Sequence, residues 1–94
     1  MNRAEILEFL TSNKELLETR YHVSRIGLFG SYARDEQTTD SDVDLIVDMP
    51  PSFDGYYDLK EFLETGIRAK VDLGIEKNLR TLVRKRIAEE VIYV

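Results

Sequence analysis

Two aspartates separated by a single residue, Asp42 and Asp44, begin an otherwise apolar stretch, DVDLIV. A third aspartate, Asp72, stands in a similar stretch, VDLGI. Burying a carboxylate is costly, and two that lie close together resist joint ionisation unless a cation lies between them. Carboxylate oxygens suit Mg²⁺, which takes one or two protein carboxylates and completes its octahedron with phosphate and water. These residues therefore predict a site for divalent cations, with Asp72 as a third ligand if the two stretches are neighbouring strands.

A turn suited to phosphate precedes the aspartate pair. Gly30 and Ser31 are followed by ten residues and then by Asp42. Glycine permits close approach of the backbone, and free amides at a helix start favour an anion. The Ser31 hydroxyl adds a donor, and Arg34 can place a guanidinium near the same phosphate. The combination predicts nucleotide transfer, in which one of two metal ions activates an incoming hydroxyl and the other steadies a triphosphate and the departing pyrophosphate.

Each of these residues also has a purely structural explanation. The aspartate pair could be charges on an edge strand that discourage aggregation. Ser31 could cap a helix, which is compatible with phosphate binding. Arg34 could instead form a surface ion pair with Glu36 or Asp35.

Three apolar stretches predict the strands that position these residues. The first, VSRIGLFG, ends at Gly30; the second is DVDLIVDM, and the third is AKVDLGI. Side chains alternate faces along a strand, so Asp42 and Asp44 share one face and their apolar neighbours occupy the other. Between the first two strands, SYARDE predicts one or two helical turns and QTTDS a polar loop.

Helical patterns surround these strands. Asn2 followed by Glu5 predicts a capping box, and apolar spacing over roughly 2–20 predicts two short helices or one kinked helix. After the second strand, a Pro-Pro pair opens a loop through Gly55, and a helix follows over Asp58–Thr65. Asn78 is expected to cap a last helix. The apolar residues of that helix are Leu79, Leu82, Val83, Ile87 and Val91.

The order of these elements predicts an α/β (α+β) fold with helices packed on a small sheet. The 94 residues are expected to form a single domain, 1–94. With no cysteine, the chain has no disulfide, no thiol catalysis and no cysteine-ligated metal. No apolar run reaches the ~20 residues of a membrane span. We therefore expect a cytoplasmic protein without a membrane partner.

The charge distribution bears on the choice of partner. A net charge of −5 makes nucleic acid an unlikely direct substrate, because backbone binding draws on a positive surface. Basic residues nevertheless crowd the last part of the chain. They are Lys77, Arg80, Arg84, Lys85 and Arg86. This cluster could hold phosphate or contact an acidic partner, but the favoured interpretation is the solvated face of a helix.

At this point a family resemblance is evident. The GS at 30–31, ten further residues and the DVD at 42–44 match the GSx10DxD signature of the DNA polymerase beta-like nucleotidyltransferase superfamily. The longer string LFGSYARDEQTTDSDVDLIV, with VDLGI downstream, resembles the minimal nucleotidyltransferase (MNT) family. The resemblance covers nearly the whole chain, including FDGYYDLKEFLE. It implies the polymerase beta-like fold, a small mixed β-sheet flanked by helices.

The resemblance also implies a role for each site residue. Asp42 and Asp44 would be metal ligands, and Asp72 would be the third carboxylate and the base. Gly30 and Ser31 would hold the triphosphate of ATP, with Mg²⁺ as the metal.

One position departs from the family pattern. Many members carry glycine after the arginine, whereas here Asp35 follows Arg34. The extra carboxylate could weaken nucleotide binding or point outward. The second is favoured, because one helical step turns Asp35 by about 100° from Arg34.

For a chain of this size, the resemblance implies an antitoxin paired with a HEPN-domain toxin. The chemistry implied for such antitoxins is transfer of AMP from ATP to a toxin tyrosine, which silences the toxin. A small chain lacks a domain to hold the acceptor, so the acceptor must arrive on another protein. Two alternatives remain open. The chain could be a non-catalytic antitoxin that neutralises its partner by occlusion, or it could transfer a nucleotide to a small molecule, like aminoglycoside-modifying relatives.

Overall fold

Four strands form one mixed sheet in the computed structural model, which describes residues 1–94. They are β1 (Arg25–Phe29), β2 (Val43–Asp48), β3 (Val71–Ile75) and β4 (Ile92–Tyr93). Their order across the sheet is β3-β2-β1-β4. The pairing of β2 is antiparallel with β1 and parallel with β3, and β4 runs antiparallel to β1. The predicted mixed sheet is thus confirmed, with a fourth strand that the sequence pattern did not reveal.

Five α-helices and one 3₁₀ turn accompany the sheet. They are α1 (Arg3–Ser12), α2 (Lys14–Tyr21), α3 (Gly30–Ala33), α4 (Phe53–Ile67), the 3₁₀ turn Glu76–Asn78 and α5 (Thr81–Ala88). The capping box at the start of α1 is present, with Asn2 and Glu5 exchanging side-chain to backbone hydrogen bonds. No helix combines the length and apolar character that a bilayer crossing requires.

One face of the sheet carries the hydrophobic core. Val43, Leu45 and Val47 alternate along β2, and all three are fully buried together with apolar residues of α1, α2 and α4. Burying each such side chain stabilises the fold by roughly 1.5–3 kcal/mol. Because side chains alternate, Asp44 and Asp48 lie on the opposite face of β2. The core therefore holds the strand rigidly while it presents carboxylates on the other side.

The fourth helix begins earlier than the sequence pattern predicts. We expected a loop through Gly55, but α4 starts at Phe53. The Ser52 hydroxyl accepts a hydrogen bond from the Gly55 amide, and Asp54 places a negative charge in the first turn. Both features favour a helix start, so the polar cap outweighs the glycine.

The last helix differs more from expectation. Asn78 belongs to the 3₁₀ turn and caps nothing, and α5 begins only at Thr81 after an extended Arg80. Among the apolar residues assigned to this helix, Leu82 is 81% exposed and Ile87 is buried. The chain leaves the helix after two turns because β4 then adds to the edge of the sheet, beside β1. The predicted Asn78 cap and the predicted extent of this helix were therefore wrong.

Candidate functional site

Three carboxylates meet at one end of the sheet. Asp44 and Asp72 are direct partners in the parallel ladder between β2 and β3. On its other side Asp44 lies opposite Phe29, the last residue of β1 before Gly30. Asp42 stands one residue ahead of β2. The two strands are thus neighbours, as a shared metal site requires, and the carboxylates adjoin the candidate phosphate-binding turn.

Asp44 is the central carboxylate of this group. Burial, followed by the negative charges of Asp72 and Asp42, raises the pKa of Asp44 to about 6. The nearby Arg34 guanidinium acts in the opposite direction. Asp42 and Asp72 are exposed, whereas Asp44 is half-buried. A cation placed here would relieve the mutual repulsion that raises this pKa.

The donor set fits a hard divalent cation. All three candidate ligands are carboxylates, which suit Mg²⁺, and the central one is held near two like charges. As the side chains stand, no three acidic or histidine side chains of the chain enclose a common metal position. Mg²⁺ needs only one or two protein carboxylates when phosphate and water complete its coordination. The adjacent pair of Asp44 and Asp72 meets that requirement.

Gly30 is constrained to be glycine by two separate features. Its φ of +75° lies in the left-handed region, which side chains other than glycine rarely adopt. A Cβ built on it would overlap the Asp44 carboxylate. The backbone at the start of α3 can therefore approach the Asp44 carboxylate closely only because residue 30 has no side chain.

The short helix α3 ends in a Schellman motif that fixes the position of Arg34. The Glu36 amide donates to the Ser31 carbonyl at 2.8 Å, and the Asp35 amide donates to the Tyr32 carbonyl at 3.2 Å. Asp35 adopts a left-handed φ of +60° and is exposed. Glycine is the usual residue at this position of the motif. The outward orientation expected for Asp35 is confirmed.

Glu90 is a member of the site that the sequence did not reveal. Its Oε1 accepts a hydrogen bond from the Gly30 amide at 3.0 Å, and its Oε2 accepts one from Arg34 at 2.7 Å. Arg34 also lies 3.4 Å from a Glu36 carboxylate oxygen. Hydrogen bonds from Arg34 and Gly30 lower the pKa of Glu90 against the effect of burial. Of the two predicted roles for Arg34, this structure contains the ion pair.

The basic cluster lies mostly in the solvent. All of α5 is exposed except Ile87, which agrees with the favoured interpretation of a solvated helix face. One member has a specific contact, since the Arg84 guanidinium donates to the Glu76 carbonyl at 3.0 Å. Lys77 approaches Asp48 at 3.5 Å, at the opposite end of β2 from Asp42.

Comparison with known proteins gives a consistent family. The nucleotidyltransferase domain model matches residues 6–94. The chain is 41% identical to the protein adenylyltransferase MntA of Thermococcus cleftensis over 96% of this chain and 93% of that one. A solved structure provisionally described as a minimal nucleotidyltransferase superposes with a TM-score of 0.84 at 29% identity, covering 98% of this chain and 95% of the other.

A more distant similarity adds a solved complex. A tri-AMPylated HEPN toxin of Shewanella oneidensis bound to its MNT antitoxin contains a chain that matches with a TM-score of 0.60. The identity is 20%, and the match covers 98% of this chain and 67% of that one. At this identity the match supports the shared fold.

Proposed function

The chain belongs to the nucleotidyltransferase domain family, and on this basis we propose that it transfers AMP from ATP to a tyrosine hydroxyl of a cognate HEPN toxin, acting as its antitoxin. The observation that carries this proposal is the pairing of Asp44 with Asp72 across two strands beside the Gly30 turn, with Asp42 one residue ahead of β2. A relative of matching length is named a protein adenylyltransferase, and a solved complex pairs an MNT antitoxin with an AMPylated HEPN toxin. These similarities favour a protein as the acceptor.

The residues of the site would have different roles in the transfer. Two Mg²⁺ ions would be held by Asp42, Asp44 and Asp72. When bound, they would neutralise the charge of the triphosphate. Gly30 and Ser31 would position the phosphates through the backbone amide and the hydroxyl. The exposed Asp72 can accept the proton of the attacking hydroxyl. A bond forms between the tyrosine oxygen and the α-phosphorus, the α–β phosphoanhydride bond breaks, and pyrophosphate leaves.

Transfer of label from α-³²P-ATP to a purified HEPN partner, in the presence of Mg²⁺, tests this proposal. We expect Asp44→Asn to lower the initial rate on the order of 10²–10³-fold, because it removes the central carboxylate. Asp48→Asn is the matched control, since Asp48 lies on the same face of β2 at its other end. Its rate should equal that of the wild type.

Equal rates for the Asp44 and Asp48 variants would contradict the proposed site. Labelling of the partner in the absence of divalent cations would contradict the proposed requirement for Mg²⁺. Mass spectrometry of the labelled toxin would locate the modified residue, and a site other than tyrosine would contradict the proposed acceptor group.

The Glu90 contact favours a second candidate, a non-catalytic antitoxin that neutralises its partner by occlusion. Two of the donors expected to bind phosphate, the Gly30 amide and the Arg34 guanidinium, are already engaged by a carboxylate of the same chain. Co-expression of the toxin with the double variant Asp42→Asn, Asp44→Asn distinguishes the two candidates. Rescue of growth by the double variant would favour occlusion, and loss of rescue would favour transfer.

A further inference from the structure

We propose that the Glu90 carboxylate occupies the position of a nucleotide phosphate, so that it weakens triphosphate binding and must be displaced before nucleotide is seated. The inference rests on the proposed function, because it concerns the same phosphate-binding turn. It adds a residue, outside the family signature, that sets the nucleotide affinity of this chain.

The contacts of Glu90 are those expected of a bound anion. Its two oxygens use different donors, the Gly30 amide at 3.0 Å and the Arg34 guanidinium at 2.7 Å. Carboxylate and phosphate oxygens compete for such donors, because both are anionic acceptors of charge-assisted hydrogen bonds. With Glu90 in place, the Gly30 amide and the Nη1 of Arg34 are both engaged by a carboxylate. Its charge also adds to those that raise the pKa of Asp44.

The strand register fixes this placement. β4 pairs with β1 so that Tyr93 lies opposite Gly27 and Ile92 opposite Leu28. Each step back along β4 matches one step forward along β1, so the same register continued beyond the ladder brings Glu90 opposite Gly30. The position of Glu90 beside Gly30 therefore follows from the way the last strand joins the sheet.

The segment that carries Glu90 is only lightly held on its helical side. The only buried side chain of α5 is Ile87, and Glu90 follows in the turn between α5 and β4. The Glu90 side chain is one quarter exposed, so it can turn into solvent without moving the core. Release of Glu90 leaves the Gly30 amide and the Arg34 guanidinium facing the carboxylate group.

A positioning role for Glu90 predicts the opposite change in nucleotide affinity. If Glu90 served to hold Arg34 ready for phosphate, its removal would weaken nucleotide binding. If Glu90 competes with phosphate, its removal strengthens binding. The change in nucleotide affinity therefore decides between the two roles.

Calorimetric titration of α,β-methylene-ATP with Mg²⁺ into the full chain tests the inference, because this analogue cannot be cleaved between its α- and β-phosphates. Glu90→Gln keeps the size of the side chain and removes its charge, and we expect about tenfold tighter binding of the analogue. Glu89→Gln is the matched control, because the neighbouring Glu89 is exposed and carries the same charge. It should bind as the wild type does. Circular dichroism would establish that both variants are folded.

The wild-type chain gives a second readout. The amide resonance of Gly30 in a ¹⁵N spectrum should shift on addition of α,β-methylene-ATP as Glu90 leaves it, and in Glu90→Gln it should already be displaced without nucleotide. Unchanged or weaker binding by Glu90→Gln, while the wild type binds and transfers AMP, would overturn this inference and leave the proposed function standing. Absence of nucleotide binding and AMP transfer by both chains would overturn the proposed function and this inference with it.

Discussion

At the scale of single residues, Asp35 carries a local cost beside the candidate site. Its φ of +60° places it in the left-handed region at the end of α3, where a glycine has no steric penalty. We expect Asp35→Gly to raise the free energy of unfolding by about 0.5–1 kcal/mol, because relief of strain exceeds the added backbone entropy of the unfolded chain. The corresponding rise in Tm is about 2–8 °C for a domain of this size.

The control for this prediction is Asp35→Asn, since asparagine tolerates the left-handed region as aspartate does and differs in charge. Thermal melts of the three proteins separate the backbone effect from the electrostatic one. A gain in Asp35→Asn equal to that in Asp35→Gly would assign the effect to charge and contradict the steric argument.

At the scale of elements, α5 is the helix whose sequence pattern and position disagree. Leu82 and Ile87 are both apolar, yet Leu82 is 81% exposed and Ile87 only 7%. We expect Leu82→Ser to change the free energy of unfolding by less than about 0.5 kcal/mol. Ile87→Ala should lower it by about 2 kcal/mol, since it leaves a cavity where this side chain is buried. Urea denaturation of the two variants measures both values, and equal losses would contradict the exposed position of Leu82.

Elements with a long apolar pattern were predictable from the sequence. The alternation of Asp44 with Val43 and Leu45 placed the acidic residues on one face of β2, and the pairing with β3 then brought in Asp72. The two-residue strand β4 has no periodicity that a sequence pattern could reveal. The contact between Glu90 and Gly30 depends on that strand, and so it could be found only in the folded chain.

At the scale of the whole molecule, the carboxylate group makes the stability of the metal-free chain depend on pH. Burial and two neighbouring carboxylates raise the pKa of Asp44 to about 6, against 3.8 for the free side chain. Between these values the folded chain binds more protons than the unfolded chain, so its free energy of unfolding falls as pH rises. The full shift corresponds to about 3 kcal/mol, which solvent exposure of the side chain reduces to about 1 kcal/mol.

Chemical denaturation in the presence of a chelator measures this dependence. We expect Asp44→Asn and the wild type to be equally stable near pH 4, and the variant to be more stable by about 1 kcal/mol at pH 7.5, because it lacks the repelled charge. Mg²⁺ should stabilise the wild type at pH 7.5 and leave the variant less affected, since a cation removes the repulsion that the substitution also removes. Asp48→Asn should follow the wild type at both pH values. A stability difference between Asp44→Asn and the wild type that does not change with pH would contradict the raised pKa and, with it, the close approach of the three carboxylates.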